Sequence, residues 1–193
     1  MIDDGVAERA DASGSAAPRP SVDPDPGSPT QGDRGEAWFE DLFAAHAHAV
    51  FRYFARRGAH GDAEDLAADV LTTAWRRRGD VPRGHELAWL YRTAGYVLAN
   101  HRRKGRPVPV GEIVEDSLDE LAPDPADLAV ADQQVAAALS ALSGRDRHIL
   151  LLHAWEGLDG AELGHALGVT RGGAAAALSR ARARLRDAWG ETA

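Results

Sequence analysis

The chain has 193 residues, of which 44% are apolar and 27% charged, with a formal net charge of −8; one or two small domains are expected, and a large multidomain enzyme is excluded. It holds no Cys, so disulfides, thiolate metal sites, iron–sulfur clusters and cysteine nucleophiles are ruled out. Only 6% of the residues are aromatic, Ala is abundant and β-branched residues are scarce, a balance that favours an all-α protein.

Residues 1–35 carry Pro18, Pro20, Pro24, Pro26 and Pro29 among Gly, Ser, Ala and Asp, and read as a disordered amino-terminal tail. Asp3 and Asp4 stand where a signal peptide needs positive charge, and no apolar run reaches the length of a membrane span, so a cytoplasmic protein without membrane insertion is expected. At Trp38 the pattern changes. Phe39, Leu42, Phe43, His46, Val50 and Phe54 recur at steps of three and four, which predicts an amphipathic helix from about Glu36 to Arg56. Gly58 and Gly61 break it, and Asp62 is placed to cap a second helix with Leu66, Val70, Leu71, Ala74 and Trp75 on one side.

After a loop around Gly79 to Gly84, a third helix from about Glu86 to Arg103 holds Trp89, Leu90, Thr93, Ala94, Val97 and Leu98. No acid occurs between Leu87 and Gly111, whereas Arg92, Arg102, Arg103, Lys104 and Arg106 do, so the local field is positive despite the acidic total. The sign then inverts: residues 106–132 bring Glu112, Glu115, Asp116, Asp119, Glu120, Asp124, Asp127 and Asp132 with four prolines. This reads as an acidic flexible linker between a first helical domain, 36–105, and a second, 133–190. A coil of about 25 residues spans roughly 25 to 30 Å, enough to hold two surfaces on separate parts of one large partner.

In the second domain, Ala161-Glu-Leu-Gly-His-Ala-Leu-Gly-Val-Thr170 has the pattern of a helix-turn-helix: Leu163 and Leu167 face a core, Gly164 permits a close crossing, Gly168 allows the turn and Thr170 caps the next helix. A plain hairpin of two helices fits the same spacing. On a helical wheel the last segment places Ala174, Leu178, Ala181, Leu185 and Trp189 in one stripe, leaving Gly172, Gly173, Ala176, Ala177, Arg180 and Arg184 outward. The early turns lack side chains that read base edges, whereas the later ones suit phosphates or form a solvated face. The third helix joins Trp89, Tyr91 and Tyr96 to the basic run His101-Arg-Arg-Lys104. Rings that stack on bases next to cations that hold the backbone suit melted DNA, although Trp89 also fits a core.

The ordered set Phe39-Glu-Asp-Leu-Phe43, Asp62-Ala-Glu-Asp-Leu66 to Ala74-Trp75, Ala88-Trp-Leu-Tyr-Arg92 to Asn100-His-Arg-Arg103, an acidic connector, and Leu142-Ser-Gly-Arg-Asp-Arg147 to Trp155-Glu-Gly-Leu158 before the helix-turn-helix resembles one family. It is that of the bacterial extracytoplasmic-function sigma factors, the small two-domain members of the sigma-70 family. The resemblance covers about residues 36–189. It implies a subunit that directs core RNA polymerase to promoters, with a region 2 domain on the polymerase clamp and the minus-ten element, and a region 4 domain on the flap and the minus-thirty-five element. The implied polymerase contacts are Glu64, Asp65, Leu66 and Asp69; acids near a helix start also suit the helix dipole without any partner. The implied minus-ten residues are Arg92, Tyr96, Asn100, His101, Arg102, Arg103 and Lys104, and the implied minus-thirty-five residues are Thr170, Arg171, Arg180, Arg182 and Arg184. Family members are often held inactive by an anti-sigma factor, which enters as a further partner.

Two departures stand out. Tyr96 occupies a position where the family usually has Asn; a tyrosine can stack on an extruded base but cannot reproduce an amide's paired donor and acceptor. Gly173-Ala-Ala-Ala-Ala177 replaces the usual polar recognition face, and each lost bidentate contact removes roughly 1 to 3 kcal/mol of selectivity. No metal-ligand spacing, nucleotide-phosphate loop or nucleophile elbow occurs, so no cofactor, metal, catalytic residue or small-molecule substrate is expected, and the chain is not expected to be an enzyme. The competing readings are a stand-alone helix-turn-helix regulator, and a sigma-like protein with weakened promoter reading.

Overall fold

The computed structural model describes residues 34–103, 121–130 and 132–192. The expected tail up to residue 33, Lys104 and most of the acidic connector lie outside the described residues. Seven α-helices are present, α1 (Glu36–Ala55), α2 (Ala63–Arg76), α3 (Glu86–Arg102), α4 (Gln133–Ser140), α5 (Gly144–Ala154), α6 (Gly160–Leu167) and α7 (Arg171–Thr192), with a short 3-10 turn at Pro125–Asp127 and no strand among the described residues.

Helix α1 starts with Glu36 and ends with Arg52 in its last turn, charges placed to complement the helix dipole. It buries Leu42, Val50, Tyr53 and Phe54. In α2 the buried set is Ala63, Leu66, Ala67, Val70, Leu71 and Ala74, one stripe at three- and four-residue steps. Between them Gly58 adopts φ +82°, and a Cβ there would lie 2.6 Å from Cβ of Asp127. Only glycine suits both demands.

Helix α3 is covered almost all round. Ala88, Leu90, Tyr91, Thr93, Ala94, Gly95, Tyr96, Leu98 and Ala99 are buried, because α1 and α2 pack on one side, α6 on another, and Leu121 sits against Gly95. A helix apolar on every side belongs inside a body, and each fully buried Leu contributes about 1.5 to 3 kcal/mol.

The second group of helices is bounded by explicit caps. The Asp132 carboxylate accepts from the amides of Gln134 at 2.8 Å and Val135 at 3.2 Å to start α4. Ser143 Oγ accepts from the Asp146 amide at 3.1 Å to start α5, and such a cap is worth about 1 kcal/mol. Arg147, buried, donates to the carbonyls of Pro123 (3.0 Å), Leu139 (3.0 Å) and Leu142 (3.2 Å), tying the connector to the end of α4. Residues 121–130 are therefore not a free tether as the composition predicts. Leu121 and Leu128 are buried at 2% and 8% exposure, and the Ala129 amide donates to the Arg56 carbonyl at 3.1 Å. One continuous core runs from Leu42 to Ala181 through all these helices.

Candidate nucleic-acid interface

The turn between α6 and α7 has the geometry a helix-turn-helix needs. Gly168 ends α6 in the left-handed conformation, φ +71°, where L side chains are strained. A Cβ on Gly164 would approach the Val169 carbonyl oxygen to 2.9 Å, so the crossing of the two helices depends on a missing side chain. Thr170 Oγ1 accepts from the Gly173 amide at 3.1 Å and caps α7.

On α7 the inward stripe is Ala174, Leu178 and Ala181, as the wheel predicts, with two corrections. Trp189 is 39% exposed rather than enclosed, and Ala177 is buried at 7% instead of facing outward, because the wall with Ile149 and Leu167 closes over that edge. Gly172, Gly173, Ala175 and Ala176 form an open surface bounded by exposed Arg171 and Arg180. Arg180 shares a groove with Arg145 of α5, Val169 and Thr170. Arg145 is not among the residues singled out from the sequence, though it stands within the Ser143 to Arg147 motif. Arg182 and Arg184 are engaged. Arg184 Nη1 donates to both carboxylate oxygens of Asp146 at 2.8 and 2.7 Å, and Arg182 Nη2 donates to His153 Nε2 at 2.5 Å, whose Nδ1 donates to the Leu158 carbonyl at 2.8 Å.

The α3 residues are arranged otherwise than a wheel suggests. Tyr96 is 1% exposed; burial raises the pKa of its phenol, with Arg92 opposing. In this conformation it cannot meet an extruded base. The Arg92 guanidinium lies against Gly168, where a Cβ would come within 2.8 Å of it. Arg102 donates to the Arg57 carbonyl at 2.9 Å and the Ala122 carbonyl at 3.3 Å, and it stands 3.4 Å from the Asp127 carboxylate. Burial lowers its pKa, with Asp127 the chief opposing influence. His101 Nε2 lies 3.3 Å from the Asp62 carboxylate, while Asn100 and Arg103 are half-buried at the end of the helix.

Glu64, Asp65 and Asp69 are exposed along one side of α2, whereas Leu66 is buried at 6% and is a core residue here. The α1–α2 pair has a further feature that the composition hides. Phe43 and Trp75 are 51% and 37% exposed, Phe39 packs edge-on against Trp75 with centroids 5.4 Å apart, and an apolar groove lies between Glu36, Phe39, Thr72 and Trp75.

Residues 42–107 match the family described as Sigma-70 region 2, and residues 132–185 match Sigma-70, region 4. The chain is 36% identical over 132 residues to the ECF RNA polymerase sigma factor SigF of Caulobacter vibrioides, covering 67% of this chain and 73% of that protein. The chain belongs to the sigma-70 family. Within it, the sigma factor is also 31% identical over 163 residues to the RNA polymerase sigma factor CarQ of Myxococcus xanthus, covering 82% of this chain and 93% of the other. Its fold is that of the sigma factor RpoE of Bartonella quintana, solved with the anti-sigma factor NepR: the TM-score is 0.51 at 22% identity, over 78% of this chain and 95% of that one. Like its relatives, this sigma factor directs core RNA polymerase to promoters in transcription initiation. No helix among the described residues is long and apolar enough to cross a membrane.

Proposed function

We propose that this sigma factor divides promoter recognition between the 36–105 domain and the 133–190 domain, acting in the cytoplasm through binding energy alone while the polymerase performs the chemistry. Glu64, Asp65 and Asp69, with the Phe39, Phe43 and Trp75 patch beside them, dock on core polymerase: desolvating the rings supplies affinity, and the acids supply orientation and rate. Asn100, His101, Arg102, Arg103 and Lys104, with Arg92, hold the minus-ten element. Thr170, Arg171 and Arg180 position the minus-thirty-five duplex through its phosphates, joined by Arg182 and Arg184 if DNA displaces their internal partners. An anti-sigma factor is a further partner, a reading supported by the Bartonella quintana protein of the same fold, described in complex with one.

The observation that carries this reading is the open helix-turn-helix, with two exposed arginines around a surface of Gly and Ala. That bare surface also favours weak base discrimination at the minus-thirty-five element, since phosphate contacts position a protein without reading sequence. The test is transcription by purified core polymerase on a genomic fragment library, with and without the protein, mapping RNA 5′ ends. New ends with shared upstream elements support the reading. Stable polymerase binding without new ends favours a sigma-like protein that no longer reads promoters, and no polymerase binding at all favours a stand-alone regulator.

A further inference from the structure

Where α3 and the end of α1 meet α5 and α6, the seam is polar and incompletely paired. Arg57, wholly buried, places Nη1 2.7 Å from Oε1 of Glu156, whose side chain is 2% exposed. The guanidinium also lies 3.6 Å from the centre of the Tyr53 ring. Arg56 donates to the Trp155 carbonyl at 2.7 Å. Beside them His148 of α5 is 2% exposed, and its Nδ1 has no hydrogen-bond partner. At the other end of the seam His85, preceding α3, stacks on His165 of α6 with ring centres 4.1 Å apart.

The geometry points to an acid-released latch: the free sigma factor closes α3 onto α6, covering its own DNA-reading residues, and protonation of His148 opens it. The masking half of this inference rests on α3 as the minus-ten reader, because closure places Arg92 against Gly168. Protonating His148 sets a second cation beside Arg57 in a dry site. Of the groups at this seam (Tyr53, Arg57, Tyr91, Arg102, Glu156), Arg57 is the charge that acts on it, and burial with Arg57 lowers its pKa to about 3. On α5 itself, Asp146 is held by Arg184 and Arg147 by carbonyls.

Neutral imidazole is required in the closed form and not in the open one, so the open-to-closed ratio rises by about tenfold between pH 7.5 and 5.5 through His148 alone. The chain lacks Cys, so Ala44→Cys and Arg186→Cys, labelled with a fluorescent donor and acceptor, report the distance between α1 and α7 in the full chain. Transfer efficiency is expected to fall on acidification, with His148→Leu and His148→Gln each flattening the response. An efficiency independent of pH, or a response unchanged in a cooperatively melting His148→Leu or His148→Gln protein, overturns the latch. If core polymerase fails to bind while the pH response persists, the promoter reading fails and the latch stands.

Discussion

Replacing Glu156 by Gln tests the polar seam directly. The substitution keeps the side chain's shape and removes its charge, leaving Arg57, with no exposed surface, as an uncompensated cation. Removing one member of a buried pair typically costs about 3 to 5 kcal/mol, and here the lower end applies, because Arg57 keeps its bond to the Tyr53 carbonyl at 3.0 Å and its contact with the Tyr53 ring. Replacing Arg57 by Met strands the carboxylate instead, with Arg56 at 3.7 Å as partial compensation, and about 3 kcal/mol is again expected. The double variant Arg57→Met/Glu156→Gln has no buried charge left and is expected to lie within about 1 kcal/mol of the natural protein. Urea unfolding followed by Trp fluorescence measures all four proteins. If the two single substitutions simply add in the double variant, the pair is not coupled and the account of the seam is wrong.

Gly58→Ala forces a side chain into a left-handed backbone and against Asp127; a loss of about 1 to 2 kcal/mol or more, with faster proteolysis within residues 121–130, is expected by thermal melting and limited digestion. Gly164→Ala should abolish DNA binding by the helix-turn-helix in a mobility-shift assay while α1 to α3 stay folded by circular dichroism, since its Cβ meets the Val169 carbonyl. Arg171→Ala and Arg180→Ala are each expected to weaken binding equally on all sequences and to reduce the slope of log affinity against log salt by about one. The pKa of His148 is lowered in the folded protein from 6.5 to about 3, so its stabilising effect is complete above pH 6.5 and is lost as pH falls toward 3. Melting temperatures across that window should fall less steeply in His148→Leu than in the natural chain.

Where the physics is local, the sequence was legible. The steps of Phe39, Leu42, Val50 and Phe54 place α1 to within a residue of its observed end, and Gly168 with Thr170 marks the turn where it occurs. The opposite face of α3 was not legible, because a wheel assigns one side to a core but cannot say that residues 121–128 and α6 cover the other. The prolines and acids of the connector outweigh two leucines in composition, yet buried Leu121 and Leu128, with the bonds from Arg147 and the Ala129 amide, hold its end in place. Arg57 and Glu156 are 99 residues apart, and Arg184 and Asp146 are 38 apart. No periodicity distinguishes such arginines from those left to meet phosphate.

The two demands on α3, membership of a core and contact with DNA, are reconciled by the kind of surface that covers it. Toward α1 and α2 the contact is apolar, through Leu90, Ala94 and Leu98, and separating it would forfeit several kcal/mol of burial. Toward the second group of helices the contact also includes the buried Arg57–Glu156 ion pair, and Nε and Nη2 of Arg57 and Nδ1 of His148 lack partners in it. Water can satisfy each of those groups, and a buried ion pair gains little over its hydrated members. The polar part of the seam therefore adds little to the cost of opening it, while the body of α1, α2 and α3 stays intact. A seam of leucines in place of Arg57, Glu156 and His148 would hold α3 against α6 too tightly for a partner to separate them.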